Sequence, residues 1–187
     1  MTLIDDRKVG VMKQYVASIF LVFIFVFCVT ACGKSDSLDS AMLGLQPAMQ
    51  ETGKTFNAVS RTTRVQEVIG NQVFGDYGRL IFPVDRTIDD SLTLENVGDI
   101  LTWYHYINPD KTVEIVNYLG EQAETGNPVF YDIYTEEEKS EDPWKEDTGL
   151  FFFRGRANGK VAICNAGGGF VYVGAMQDSF PHALELS

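Results

Sequence analysis

The sequence predicts an α/β fold, and three features predict it. Apolar residues recur at helical spacing within residues 93–126. Strand-like runs then follow at 129–134, 149–155 and 160–166. Three consecutive glycines, Gly167–Gly169, separate the last run from an apolar, helix-like stretch that begins near Ala175. Helical and strand patterns in this succession are typical of a domain that mixes both kinds of element.

Composition indicates a folded, acidic protein. Hydrophobic residues make up 45% of the 187 residues and aromatic residues 12%, which is enough for a packed core. The net charge is −11 at pH 7, and the basic residues do not form a stripe that could neutralise phosphates. Nucleic acid is therefore excluded as an expected partner, and the acidic balance indicates a solvated surface.

The N-terminal region is typical of a secretion signal. Residues 15–31 carry no charge, follow Lys13 and end in small residues directly before Cys32. The run 29–32 resembles a bacterial lipobox, which implies cleavage before Cys32 and attachment of a diacylglycerol, with palmitate-type acyl chains, to its thiol. Residues 1–31 are then a signal peptide, and Met12 is the better start. A retained transmembrane anchor is the alternative, although a bilayer needs about 20 apolar residues.

The cysteines argue against a disulfide framework. Cleavage would discard Cys28 and modification would occupy Cys32, which leaves Cys164 without a partner. Small polar residues follow Cys32, so residues 32–56 are predicted to be a flexible, lipid-anchored tether.

Residues 57–128 are predicted to form a mainly helical extension. The turn 75–78 leads into a predicted strand at 79–84. Ser91 or Thr93 caps a predicted helix that reaches Tyr104, where Trp103, Tyr104 and His105 are interpreted as packing residues. Asn108 and Pro109 start a second helix, which residues 126–128 close.

Residues 129–187 are predicted to be an incomplete α/β domain. The strands at 129–134 and 149–155 are expected to be antiparallel, with the acidic loop 136–147 between them. That loop is interpreted as a solvated surface rather than a cation site, with Trp144 tucked against the body. Asn158 and Gly159 predict a tight turn before a third, buried strand at 160–166.

The triple glycine, Gly167–Gly169, is predicted to be an anion-binding segment. Without Cβ atoms, successive amides can face one anion, either a phosphate or the oxyanion of a tetrahedral intermediate. The spacing fits neither the dinucleotide fingerprint nor the phosphate-binding loop with its Gly-Lys-Ser/Thr ending. The oxyanion interpretation is therefore favoured, and a loop that binds nothing is the alternative.

Residues 165–170, Asn-Ala-Gly-Gly-Gly-Phe at the end of a strand, resemble the HGGG-type loop of esterases and lipases. The longer stretch 162–187, with 147–155 and 130–139 before it, is similar to a group of bacterial exported α/β-hydrolases that cleave acyl and acetyl esters. The likeness covers the second half of the chain and extends more loosely over 75–127. Ala166 stands where the histidine of that loop would be.

The resemblance implies roles for five residues. Gly168 and Gly169 would present oxyanion-hole amides, and Gly167 would support them by allowing a close approach. Phe170 and Tyr172 would flank the acyl pocket. No cofactor and no metal are implied.

The catalytic nucleophile is missing from these residues. The serine of this fold occupies a G-x-S-x-G turn, and the sequence contains none. Ser179 and His182 fall in the final helix-like stretch and are interpreted as surface residues.

The chain is thus predicted to be the N-terminal part of an α/β-hydrolase, inactive as it stands. The alternative is a non-catalytic surface lipoprotein with a structural glycine loop. Expected partners are a small ester substrate and, through the lipid anchor, the outer face of the cytoplasmic membrane.

Overall fold

The computed structural model describes residues 46–47, 53–101, 106–169 and 171–187. Several predictions from the sequence lie outside these residues: those for the signal peptide, for Cys32, for most of the tether, and for Trp103, Tyr104, His105 and Phe170.

Three short strands form an antiparallel sheet with β2 at its centre. They are β1 (Gln46–Pro47), β2 (Phe130–Asp132) and β3 (Gly149–Phe151). The register of β2 and β3 places Phe130 opposite Phe151. The predicted antiparallel pairing of 129–134 with 149–155 is confirmed, over three residues each. Every strand pair in the described residues is antiparallel, so a parallel α/β-hydrolase sheet stays a prediction.

The described α-helices are α1 (Val65–Ile69), α2 (Pro109–Glu124), α3 (Glu136–Glu141) and α4 (Ser179–Leu186). The described 3₁₀ helices are Gly75–Ile81, Leu94–Ile100 and Pro143–Asp147.

Helix α2 begins where the sequence predicts, because its start is encoded locally. The Asn108 side chain accepts a hydrogen bond from the Asp110 amide at 2.9 Å, and Pro109 occupies the first turn. The buried face of α2 is a stripe at helical spacing that consists of Thr112, Ile115, Val116, Leu119, Gly120 and Ala123.

The predicted strand at 79–84 is wrong, because residues 75–81 form a 3₁₀ helix. This helix lies close against the end of α1: a Cβ on Gly78 would be 2.5 Å from the Ile69 carbonyl oxygen. Tyr77, Gly78 and Ile81 are buried, and burial of the adjacent residues 77 and 78 departs from the alternation of a strand.

The helix predicted from Thr93 is present as the 3₁₀ helix Leu94–Ile100. Its backbone departs from helical angles at Asn96, while Leu94 and Val97 are fully buried. The rest of the predicted helix, to Tyr104, falls outside the described residues from position 102 onward.

The acidic segment 136–147 is helical, where the sequence predicts a loop. Thr135 and Glu138 form a reciprocal capping box that starts α3, and Asp142 caps the following 3₁₀ helix. The expectation that Trp144 tucks against the body is wrong, since its side chain is 82% exposed. Local caps fix this helical path and leave the indole outside.

A row of aromatic side chains runs through the core. Tyr77 stacks on Phe130 with ring centroids 5.0 Å apart, and Phe130 meets Phe151 at 5.1 Å. Phe151 in turn packs edge-on against Phe180 of α4 at 4.9 Å. Residues of the predicted helical extension and of the predicted α/β domain therefore share one core.

The predicted buried strand at 160–166 is wrong. None of its residues lies in a strand, and the Val161 and Ile163 side chains are 72% and 80% exposed. A strand needs a neighbour to satisfy its backbone and cover its apolar side chains, and no described segment pairs with this one. The predicted turn before it is present, with Asn158 at φ 61° and the Gly159 amide bonded to the Arg156 carbonyl at 3.0 Å.

Candidate functional site

The glycine loop, residues 167–174, is closed by its own backbone. The Gly174 amide donates to the Gly167 carbonyl at 2.9 Å, and the Val171 amide donates to the Gly168 carbonyl at 3.0 Å. Half-buried Ala166 attaches the start of the loop to the core. These hydrogen bonds hold the two described parts of the loop, residues 167–169 and 171–174, together.

Two of the three glycines adopt backbone angles that disfavour other residues. Gly168 has φ +146° and Gly169 has φ +60°. A Cβ on Gly168 would also overlap the Tyr172 carbonyl oxygen, whereas a Cβ on Gly169 would meet no atom within 4 Å. Position 168 thus requires glycine because of its φ angle and because of the steric overlap, whereas position 169 requires it because of its φ angle alone.

The three amides differ in what they bind. The Gly167 amide donates to the Asp178 Oδ2 atom at 2.8 Å. The amides of Gly168 and Gly169 donate to no acceptor in the described residues. The Asp178 carboxylate thus binds the first amide, whereas the next two have no acceptor in the described part of the chain.

The predicted acyl-pocket residues are only partly described. Phe170 lies outside the described residues, and Tyr172 is half-buried, with its carbonyl oxygen beside Gly168. Two clefts, of about 440 Å³ and about 240 Å³, occur elsewhere on the body. Neither is lined by residues 167–174.

Asp178, Ser179 and His182 follow the loop at the start of α4. The His182 Nδ1 atom lies 2.6 Å from the Asp178 carbonyl oxygen and 3.9 Å from the Asp178 Oδ1 atom. Ser179 is buried, His182 is exposed, and no hydrogen bond joins them in the described part of the chain. His182 is therefore hydrogen-bonded to the backbone carbonyl of Asp178 and not to the Ser179 hydroxyl.

No family model matches this sequence, and neither the curated proteins nor the solved structures contain a match. The site is therefore interpreted from its own residues.

Several carboxylates in and near the acidic segment 136–147 form ion pairs. The Lys139 Nζ atom lies 2.7 Å from Asp132 and 2.9 Å from Glu136, and these hydrogen bonds raise the pKa of Lys139. Arg79 pairs with Asp147. Among the described residues, no group of three His, Cys, Asp or Glu side chains could hold a metal ion.

Asp178 is the site residue that sequence reasoning missed. It lies eleven residues after Gly167, and its role depends on how the chain folds back rather than on any motif.

Cys164, half-buried, is a free thiol. No helix within the described ranges is long and apolar enough to cross a membrane.

Proposed function

We propose that residues 167–169 form the oxyanion-binding loop of an ester hydrolase, of which these 187 residues supply an N-terminal part. The observation that carries the proposal is a pair of adjacent amides, those of Gly168 and Gly169, that have no acceptor among the described residues. The φ of Gly169, +60°, lies in the left-handed region that occurs in backbone nests, in which successive amides receive an anion.

The proposed chemistry is acyl transfer to a serine. Attack on the ester carbonyl places a negative charge on its oxygen, and amides held in advance stabilise that charge without reorganising. The nucleophile and its histidine would come from residues beyond these, because no G-x-S-x-G turn occurs in the sequence. The 187 residues alone are expected to hydrolyse no ester.

Asp178 fits this scheme as a support. Its carboxylate holds the Gly167 amide, and this contact ties the loop to the start of α4. The resemblance likewise assigns Gly167 a supporting role. A negative charge at this point also opposes a second anion, so Asp178 is expected to weaken oxyanion binding rather than strengthen it.

A non-catalytic surface lipoprotein is the second candidate. The observation that favours it is the absence of loop residues from the lining of both clefts. Under this alternative, Gly168 is present because the Tyr172 carbonyl oxygen leaves no room for a side chain.

Ester turnover distinguishes the two candidates. The protein is expressed from its gene with any coding sequence that follows codon 187, and hydrolysis of p-nitrophenyl acetate is measured. Gly168→Val should lower kcat by about 100- to 1000-fold, the cost of losing one oxyanion donor. Gly126→Val is the matched control, since Gly126 also has positive φ, +78°, but follows α2 away from the loop.

Both variants must remain folded in thermal melts, because a side chain at positive φ costs about 1–3 kcal/mol. A folded Gly168→Val variant with kcat within about threefold of the parent would reject the oxyanion assignment. A parent that neither hydrolyses esters nor reacts with a fluorophosphonate would support the non-catalytic lipoprotein.

We further propose that Cys32 is lipidated and that the body is displayed outside the cytoplasmic membrane. The support is the uncharged run 15–31 with small residues before the cysteine. Cys32→Ala, or treatment with globomycin, should leave an unprocessed precursor, while Cys28→Ala should mature normally. Intact mass spectrometry measures the cleavage site, and cleavage anywhere other than before Cys32 would contradict the proposal.

A further inference from the structure

Residues 154–163, here called the basic arm, project from the body. All ten residues are exposed. At its base, Phe153 stacks on Tyr118 with ring centroids 5.4 Å apart, and the Arg154 amide donates to the Tyr118 hydroxyl at 2.7 Å. The chain turns at Asn158 and returns to the core at Ala166. The arm is therefore fixed at its base, and its residues are exposed.

The charge of the arm is opposite to that of the protein. Residues 148–177 contain three basic residues, Arg154, Arg156 and Lys160, and no Asp or Glu, whereas the whole chain has a net charge of −11. Three basic residues do not make a stripe, so this short segment was not predicted from the sequence to be a binding surface.

The cations of the arm lack carboxylate partners. No ion pair joins Arg154, Arg156 or Lys160 to a carboxylate in the described residues, and Arg154 only lies over the Phe152 ring, at 5.2 Å. Six other basic residues of the described part do form ion pairs, namely Arg61, Arg64, Arg79, Arg86, Lys111 and Lys139. The arm thus offers three cations that no carboxylate among the described residues pairs with.

Two large aliphatic side chains stand beside these cations. Val161 and Ile163 are 72% and 80% exposed and are two residues apart in a segment without regular secondary structure. Large aliphatic side chains beside basic residues form the combination that enters the boundary between headgroups and acyl chains in an anionic bilayer.

We propose that the basic arm docks on an anionic lipid surface. Arg154, Arg156 and Lys160 contact headgroup phosphates, and Val161 and Ile163 enter the headgroup boundary. Charge complementarity selects this occupant: the three cations lie on an exposed segment, which suits a surface where phosphates are available at every lateral position. The inference uses no part of the hydrolase proposal.

Site-specific fluorescence tests the docking in the full chain reconstituted with vesicles. The background carries Cys28→Ser, Cys32→Ser and Cys164→Ser, and an environment-sensitive fluorophore is attached at Ala162→Cys in the arm. The matched control carries it at Trp144→Cys, on the acidic segment, where the native side chain is 82% exposed. The apolar run 15–31 is expected to bring both proteins to the bilayer, so the comparison reports the arm alone.

Vesicles of phosphatidylcholine with phosphatidylglycerol, containing lipids that carry a quencher on the acyl chain, should quench the probe at 162 but not the probe at 144. Reversing the arm with R154E/R156E/K160E should lower quenching at 162 by at least about tenfold, since each cation near an anionic surface favours binding roughly fivefold. Thermal melts of all variants should match, because the substituted side chains are exposed.

Two results would overturn the inference. One is equal quenching at 162 and 144. The other is quenching at 162 that is unchanged in pure phosphatidylcholine vesicles or in the charge-reversed variant, which would mean that the arm does not recognise anionic headgroups.

Discussion

At the residue scale, Gly168 and Gly169 differ in what a side chain would meet. Both have positive φ, but only a Cβ on Gly168 would overlap a backbone atom, the Tyr172 carbonyl oxygen. The cost of a side chain at positive φ and the cost of steric overlap can therefore be measured separately at these two adjacent positions.

Alanine substitutions should show this difference. Gly169→Ala and Gly126→Ala, which place a Cβ in open space at positive φ, should each lower the free energy of unfolding by about 1 kcal/mol. Gly168→Ala should cost at least about 2 kcal/mol or displace the loop, because the Tyr172 carbonyl must also move. Chemical denaturation measures all three, and an equal loss at 168 and 169 would contradict the loop geometry.

The loop also shows what the sequence could predict at this scale. Consecutive glycines predict an exposed turn with freed amides, because the absence of Cβ atoms is a property of the residues themselves. The bond from the Gly167 amide to Asp178 depends on the path of the intervening residues, which no local pattern encodes. The loop was therefore predictable, and its carboxylate partner was not.

At the element scale, the packing of helix α2 against Phe56 explains a glycine inside the helix. Phe56 packs against it, and a Cβ on Gly120 would overlap the buried Phe56 ring. Glycine inside a helix normally weakens the helix, so its presence here is explained by the space that the ring needs.

Gly120→Ala should therefore destabilise the protein. It would gain up to about 1 kcal/mol of helix propensity, but overpacking against Phe56 should cost about 1–3 kcal/mol and leave a net loss. Phe56→Leu in the same chain should recover part of that loss, which a double-mutant cycle in urea measures. A Gly120→Ala variant more stable than the parent would contradict the packing.

An ion pair connects α2 to α4. The Lys111 Nζ atom lies 2.8 Å from the Glu185 Oε1 atom and also pairs with Glu114. The hydrogen bond to Lys111 lowers the pKa of Glu185 below its ordinary 4.5, and hydrogen bonds to Glu114 and Glu185 raise the pKa of Lys111 above 10.5.

The sign of the pH dependence follows from the Glu185 shift. A carboxyl with a lowered pKa stabilises the folded state above its unfolded pKa, and this contribution disappears as pH falls through the lower folded value. Glu185→Gln should make the decline of stability below pH 4.5 shallower. Glu137→Gln, which removes an exposed carboxylate without an ion pair in the described residues, should leave it unchanged. Urea denaturation between pH 3 and pH 7 measures both, and identical slopes would contradict the pairing.

Elements were predictable from the sequence where their signals are local. Asn108 and Pro109 fix the start of α2, and the antiparallel pairing of β2 with β3 follows from two apolar runs. Residues 79–81 of the predicted strand lie in a 3₁₀ helix, in which Gly78 packs against Ile69 at the end of α1, a contact that no local pattern encodes. The segment 160–166 has a strand pattern, but a strand forms only where another segment pairs with it.

At the scale of the whole molecule, the described residues form one acidic body with two unusual surfaces. One is the glycine loop, which holds two amides without acceptors, and the other is the basic arm, which precedes it in the chain. The central claim is that the Gly168 and Gly169 amides receive an anion, because the proposed hydrolase function depends on it.

Amide chemical shifts test that claim most directly. The ¹⁵N-labelled full chain in detergent micelles is titrated with acetate at constant ionic strength, with Gly126 as the remote reference at positive φ. We expect saturable downfield shifts of the Gly168 and Gly169 amide protons, and tighter binding in Asp178→Asn, where a competing charge is removed. Shifts at Gly168 and Gly169 no larger than the shift at Gly126 would contradict the account.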